Sequence, residues 1–252
     1  MPKGFESTCA DRMRLGIMQP YFFPNIGHFA LISHTDRWIV FDITQYTPKS
    51  WMTRNRVLKR EGGWAYVSLP VVDASRSQRI CEIRVRDLAA TAEKVLGALS
   101  HYRKRAPYSS TVEEIARECF RSSDDSLVAV NVRSLRLVCD YLDVPFDYQV
   151  CSTMALDLPA QAGPGGWAPR IAAAVGADEY INPIGGRDLF DPLDFSSRGV
   201  RLSFLEPPEF TYRTAPFAFE PGLSILDAMM WNDPATIREA MAGARIVPAT
   251  FS

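Results

Sequence analysis

The 252-residue chain contains no Cys-x-x-Cys pair, and its five cysteines (Cys9, Cys81, Cys119, Cys139 and Cys151) are odd in number and widely scattered. That distribution argues against a disulfide framework or a zinc ribbon and points to a reducing cytoplasm. No apolar run approaches the ~18–20 residues needed to span a bilayer, and Met1–Arg12 lacks the apolar centre of a signal peptide. A cytoplasmic protein with no membrane partner is therefore expected. Charge of one sign is also lacking: 28 Lys+Arg face 29 Asp+Glu, a net charge of -1. Nucleic acid is not an expected partner, and any polyanion has to be recognised locally. Histidine is scarce too. His28 and His34 stand six apart, which on a helix turns them ~120° from each other, so no metal site is expected. Internal repeats and low-complexity segments are absent.

What is present is an ordinary globular composition, 47% hydrophobic and 11% aromatic, in a chain long enough to bury roughly 70–75% of its unfolded surface. After a loose leader over residues 1–13, Arg14–Pro20 reads as a buried strand, Gly27–Thr35 as a helix and Arg37–Ile43 as a second strand. This β-α-β unit implies parallel pairing. Thr44–Gly63 reads mainly as an excursion outside the sheet. Trp64–Val72 and Ile80–Val85 are expected to extend the sheet, followed by three helices over about 87–142, with Asp87 capping the first, Ser110 signalling the second and Asp124 or Asp125 opening the third. Phe146–Val150, Asp178–Asn182 and Val200–Leu205 read as strands, Gly165–Val175 as a helix, and Ser224–Ala242 as two helices broken near Asp233-Pro234. The expectation is one α/β domain over 14–252, a Rossmann-like, mostly parallel sheet with a helical insertion.

Ligands of such sheets bind beyond the carboxyl ends of strands. Ile17-Met-Gln-Pro-Tyr-Phe-Phe-Pro-Asn-Ile-Gly-His28 lies at such an end, where Gly27 permits close approach and His28 can donate to a phosphate oxygen. The competing reading makes Gln19, Pro20 and Pro24 the shapers of a rigid turn and Gly27 a residue that lets the helix pack on the sheet. Asp42, at the end of the second strand, can orient an amine or a sugar hydroxyl, or cap the next turn. Arg54, Asn55 and Arg56 present donors suited to phosphate or carboxylate, flanked by Tyr46 and Trp51, which suit a sugar or base or else anchor the loop. Arg54 and Arg56 share a face only if that segment is a strand. Asn182 and Arg187 meet the ligand from the far side or belong to a mere turn.

Pro24-Asn-Ile-Gly-His28 is similar to the His-x-Gly-His signature of the nucleotidyltransferase superfamily, with Asn25 in place of the first His. No Lys-Met-Ser-Lys-Ser motif accompanies it, and no Gly-x-Ser-x-Gly elbow supports serine catalysis. Nearly the whole chain resembles the WbqC-like family, through Ile17–Pro24 with Gly27 and Phe29, Asp42-x-x-Gln45-Tyr46, Trp51-x-x-Arg54-Asn55-Arg56, Asn182-Pro183 with Gly185-Gly186 and Leu189-Phe190, and Leu223-Ser-Ile-Leu-Asp227. Members often occur among genes for surface-polysaccharide sugars or specialised metabolites. The resemblance implies a transferase-like role on a small molecule and marks Gln19, Pro20, Tyr21, Gly27, Asp42, Gln45, Tyr46, Arg54, Asn55, Arg56, Asn182 and Asp227.

The leading expectation is acyl or aminoacyl transfer to an amine, on a nucleotide-linked amino sugar or a specialised metabolite. The partner would be an activated acyl donor or a nucleotide-sugar, with ATP and Mg²⁺ the cofactor candidates and a homodimer the candidate assembly. Gln19, His28 and Asp42 are the catalytic candidates. Tyr21, Asn25, Gly27, Gln45, Tyr46, Trp51, Arg54, Asn55, Arg56, Asn182 and Arg187 are the substrate-binding ones. The alternatives are a nucleotidyltransferase or adenylate-forming ligase, and a non-catalytic binding or assembly protein.

Overall fold

The computed structural model describes residues 12–250 apart from 160, 161 and 164. The expected leader falls almost wholly outside that range, although the Met13 N–H donates to the Asp178 carboxylate at 2.9 Å. Short runs of apolar and β-branched residues form β1 (Arg14–Met18), β2 (Arg37–Val40), β3 (Arg54–Leu58), β4 (Trp64–Ser68), β5 (Tyr148–Val150), β6 (Glu179–Pro183), β7 (Arg201–Glu206) and β8 (Arg245–Pro248). Six of them build one sheet in the order β5-β2-β1-β6-β7-β8, parallel except for the antiparallel edge strand β8. The result is a Rossmann-like α/β fold. The helices are α1 (Ile26–Ser33), α2 (Leu88–Leu99), α3 (Ser109–Glu118), α4 (Leu127–Tyr141), α5 (Ala168–Ala174), α6 (Pro192–Ser196), α7 (Ile225–Trp231) and α8 (Pro234–Ala242).

Strand residues alternate between two cores because successive side chains leave opposite faces. Leu15, Ile17 and Ile39 join one core with Ile171 of α5 and Phe195 of α6. Trp38 and Val40 join the other, with Phe29 of α1 and the helices between β4 and β5. Each fully buried side chain of this kind is worth about 1.5–3 kcal/mol. Gly16 pairs with Trp38, and a Cβ at position 16 would lie 2.5 Å from the indole. The missing side chain lets that buried ring lie against β1.

Caps set the helix starts. Asp87 accepts from the Ala90 N–H, as expected, whereas α4 is capped by Ser126 rather than by Asp124 or Asp125. Helix α3 begins at Ser109 with no side-chain cap. The expected strand Ile80–Val85 is instead a 3-10 turn at Ile80–Glu82 followed by single bridges from Val85 to Val71 and from Arg84 to Ser126. Glu82 accepts from the Arg79 N–H at 2.8 Å and from its guanidinium, closing a turn that competes with a ladder. Nor does Trp64–Val72 extend the sheet. Its first five residues pair only with β3, in a separate antiparallel hairpin. The Thr44–Gly63 excursion thus lies outside the main sheet, as expected, but contains a strand. The break between α7 and α8 falls at Asn232-Asp233. Helix α6 and strand β8 carry too short a periodic signal to be read in advance.

Candidate functional site

The segment after β1 is held by four side chains from three distant elements. Asn55 of β3 donates both amide hydrogens, to the Phe22 and Phe23 carbonyls at 3.1 and 3.0 Å. Asn131 of α4 donates to Pro20 O at 2.8 Å and Met52 O at 2.9 Å. Ser134 accepts from the Phe23 N–H, and Ser224, the cap of α7, donates to Phe23 O at 2.6 Å. These partners hold Phe23 at φ 38, a left-handed conformation costing a non-glycine residue about 1–2 kcal/mol. The turn is therefore rigid and presents Gln19, Tyr21 and Asn25 in fixed positions. Asn131 and Ser134 were not foreseen, though a visible signal existed: two polar residues three apart within the otherwise apolar buried face of α4. Asn131→Ala leaves two buried carbonyls without donors and is expected to cost about 2–3 kcal/mol in urea unfolding. A loss below 0.5 kcal/mol would show that the turn holds without it.

At the carboxyl ends of the parallel strands, Gln19 follows β1, Asp42 follows β2, Ser152 follows β5 and Asn182 lies at the end of β6. Asp42 is 1% exposed. Its carboxylate accepts from the Ser152 N–H at 2.9 Å and from the Ser152 hydroxyl at 2.5 Å. No cation pairs with it among the described residues. The carboxylate contributes to the wall of a cavity of about 480 Å³ between α4 and the β5 edge, along with Ser152, Cys81, Arg133, Arg136 and Tyr148. Burial and the nearby Asp42 charge push the Cys81 thiol up, so it stays protonated at neutral pH and is a poor nucleophile. The cavity flanks the sheet at β5 rather than lying over the switch point between β1 and β6. Among the described residues no three His, Cys, Asp or Glu side chains gather as a metal site.

The foreseen residues separate into groups. Gln19 donates to the Thr44 hydroxyl at 3.2 Å and shares the strand-end region with Asp42. Arg54 and Arg56 do share a face, since the segment is a strand. Arg54 stacks over Tyr66 at 4.1 Å, and Arg56 lies within 5.5 Å of Trp51 and 5.2 Å of Trp64 while donating to Gly222 O. No hydrogen bond or ion pair among the described residues joins this hairpin face to Asp42. Gln45 is exposed and bridges the Arg79 backbone, and Tyr46 is buried as an anchor. Arg187 donates to Thr250.

Four expectations change. Asn55 fastens the turn and has no free donor for substrate. His28, expected to donate to phosphate, is buried against Tyr21 and Trp38 with ring centroids at 5.6 and 5.1 Å. Burial lowers its pKa to about 3, and Nε2 has no partner, so the ring is neutral inside an aromatic shell. Asn25 caps α1 itself by accepting from the Gly27 N–H at 3.1 Å, occupying a donor otherwise open to an anion. Asn182 is largely engaged internally, accepting from the Tyr180 hydroxyl and giving one amide hydrogen to Pro183 O. Gly27 answers to packing, because a Cβ there would lie 3.1 Å from Pro207.

The model of the WbqC-like protein family matches residues 19–239, from the clamped turn through α7 and into α8. The chain belongs to the WbqC-like protein family. It is similar to the uncharacterized protein Rv1507c of Mycobacterium tuberculosis, with 24% identity over 224 residues covering 86% of this chain and 92% of that protein. No solved structure matches it. Much of the motif set quoted for this WbqC-like chain is architectural in the structure: Asn55 and Ser224 clamp the turn, while Asp227 accepts from the hydroxyls of Tyr102 and Tyr212 at 2.5 and 2.6 Å. Asp42 differs from these. Among the described residues its carboxylate is hydrogen-bonded by Ser152 alone, at the edge of a cavity. No helix is long and apolar enough to cross a membrane among the described residues.

Proposed function

We propose that this WbqC-like protein is a small-molecule transferase that forms an amide by moving an acyl or aminoacyl group onto an amine held at Asp42. The supporting observation is the buried Asp42 carboxylate, held by Ser152 with no ion pair among the described residues, at the wall of the cavity. A buried carboxylate with no ion-pair partner is costly, and an ammonium or amine N–H supplied by a substrate relieves that cost. Ser152 fixes the orientation of the carboxylate, so an amine bound there is aligned before reaction.

In the step, the amine nitrogen attacks the carbonyl carbon of an activated donor such as a thioester or acyl adenylate. The C–N bond forms, the carbon–sulfur or carbon–oxygen bond breaks, and the leaving group departs with its electron pair. Asp42 accepts the proton released by the amine and passes it to solvent. ATP with Mg²⁺ would be consumed only if the same protein makes its own acyl adenylate from a free acid.

The test incubates the protein with amines and either acyl-coenzyme A thioesters or carboxylic acids plus ATP and Mg²⁺, with amide detected by mass spectrometry. Amide that requires the protein is the expected result. Pyrophosphate release with nucleotidylated product and no amide would favour nucleotidyl transfer. If no product forms with any donor, while the protein stimulates a neighbouring enzyme, the assembly reading replaces both.

A further inference from the structure

The cavity is lined by both acidic and basic side chains, and their order along α4 is topological. Helix α4 ends at Tyr141, and a short connection over residues 142–147 leads into β5 at Tyr148. The start of α4 lies at the other end: the Leu127 N–H donates to Ile83 O at 2.9 Å, and the Cys81 N–H donates to Asp42 O at 3.0 Å. Helix and strand therefore run antiparallel, with the first turn of α4 on the Asp42 and Ser152 side and its third turn on the Tyr148 side. Asp42, Asp124, Arg133 and Arg136 all line the cavity; Asp124 precedes the first turn of α4, and Arg133 and Arg136 lie in its second and third turns. Ser126 to Arg136 spans about 15 Å of helix, and Tyr148 to Val150 spans about 7 Å of strand before the 3-10 turn at Cys151–Thr153.

The basic end is open to a ligand, and the acidic end is the buried Asp42 at the cavity wall. Arg136 is exposed and makes no hydrogen bond or ion pair among the described residues. Arg133 gives Nη1 to Cys119 O at 2.7 Å, leaving its remaining donors. Between the charged ends, Val132, Val150 and Tyr148 form an apolar stretch, with the Tyr148 ring stacked on Phe146 at 4.9 Å. That stretch suits a carbon skeleton.

We propose that the cleft binds a phosphorylated amine, with its ammonium at Asp42 and its phosphate at Arg133 and Arg136, about 10–15 Å along the helical rise from the start of α4. The assignment rests on the transferase reading in taking this cleft as the acceptor site. A free α-amino acid is too short to reach both ends. Two guanidinium groups match the charge of a phosphate better than that of a single carboxylate.

A chemical ruler tests it. Binding of aminohexyl phosphate, aminoethyl phosphate, hexyl phosphate, hexylamine and an amino-carboxylate of the same length is measured by calorimetry without any acyl donor. Aminohexyl phosphate is expected to bind about tenfold tighter than the others. Asp42→Asn should erase its advantage over hexyl phosphate, and Arg136→Gln its advantage over hexylamine. Because Arg136 is exposed, the second variant keeps the test decisive even if the first fails to fold. Equal affinity across the series, or no binding, overturns the proposal, and equal binding of the carboxylate analogue overturns the phosphate assignment. The transferase reading fails separately: a protein that obeys the ruler but never forms amide refutes only that reading, and one that acylates amines while ignoring the ruler refutes only this inference.

Discussion

Asp227→Ala is expected to destabilise the protein by about 3–5 kcal/mol, the largest loss from any single site described above. The carboxylate is 1% exposed and accepts from the hydroxyls of Tyr102 and Tyr212 at 2.5 and 2.6 Å. The Tyr102 oxygen in turn accepts from the Leu58 N–H at 2.9 Å. One side chain of α7 thus ties β3, the turn after α2 and the segment after β7. Alanine strands two buried hydroxyls, each costing about 1–3 kcal/mol, and opens a cavity. Urea unfolding of the variant measures the loss, and a change under 1 kcal/mol would show the tyrosines finding other partners.

The same residue predicts a pH dependence. Burial raises the Asp227 pKa above its ordinary 3.8, against the two tyrosine hydrogen bonds that pull it down. An acid whose folded pKa lies above the unfolded one favours the folded state fully below the unfolded value and loses that contribution as pH rises through the folded value. Relative to Asp227→Asn, the natural protein should therefore lose stability as pH climbs from 3.8 through the raised pKa. Urea midpoints of both proteins across that window read the effect. A gain with rising pH would instead mean that the tyrosines outweigh burial.

Asp42→Asn should lower kcat for amide formation by about 10²–10³-fold, the range of a lost general base. The isosteric amide keeps an acceptor for the Ser152 N–H, so the fold persists while the proton acceptor disappears. Ser152→Ala removes the hydroxyl that orients the carboxylate, and a loss of about tenfold is expected because the carboxylate itself remains. Steady-state kinetics with thermal melting as a control separates the two variants. Unchanged kcat in Asp42→Asn at full stability would remove Asp42 from the chemistry.

The sheet strands at Arg14, Arg37, Tyr148, Glu179 and Arg201 and the helices from α1 to α8, except α6, were legible because periodicity, caps and turn residues act over a few positions. Ile80–Val85 misled for the same reason. Its alternation matches a strand, while the Arg79–Glu82 hydrogen bonds that close a turn there and the absence of a ladder partner depend on the assembled surroundings. His28 shows the limit for the site. Its position after Gly27 suits a phosphate contact, but only the packing of Tyr21 and Trp38 around it decides that the ring is dry and neutral.

By itself the sequence determined the α/β class, the family and the position of the turn after β1, and it offered Asp42 as one catalytic candidate beside Gln19 and His28. The tertiary structure decided which of those residues are fastenings and which face a cavity. The deciding partners lie far along the chain: Asn131 meets Pro20 across 111 positions, Ser152 meets Asp42 across 110 and Tyr102 meets Asp227 across 125. Local periodicity carries no trace of such pairs, because a buried polar group acquires its partner only when the sheet and helices that carry the two have packed together.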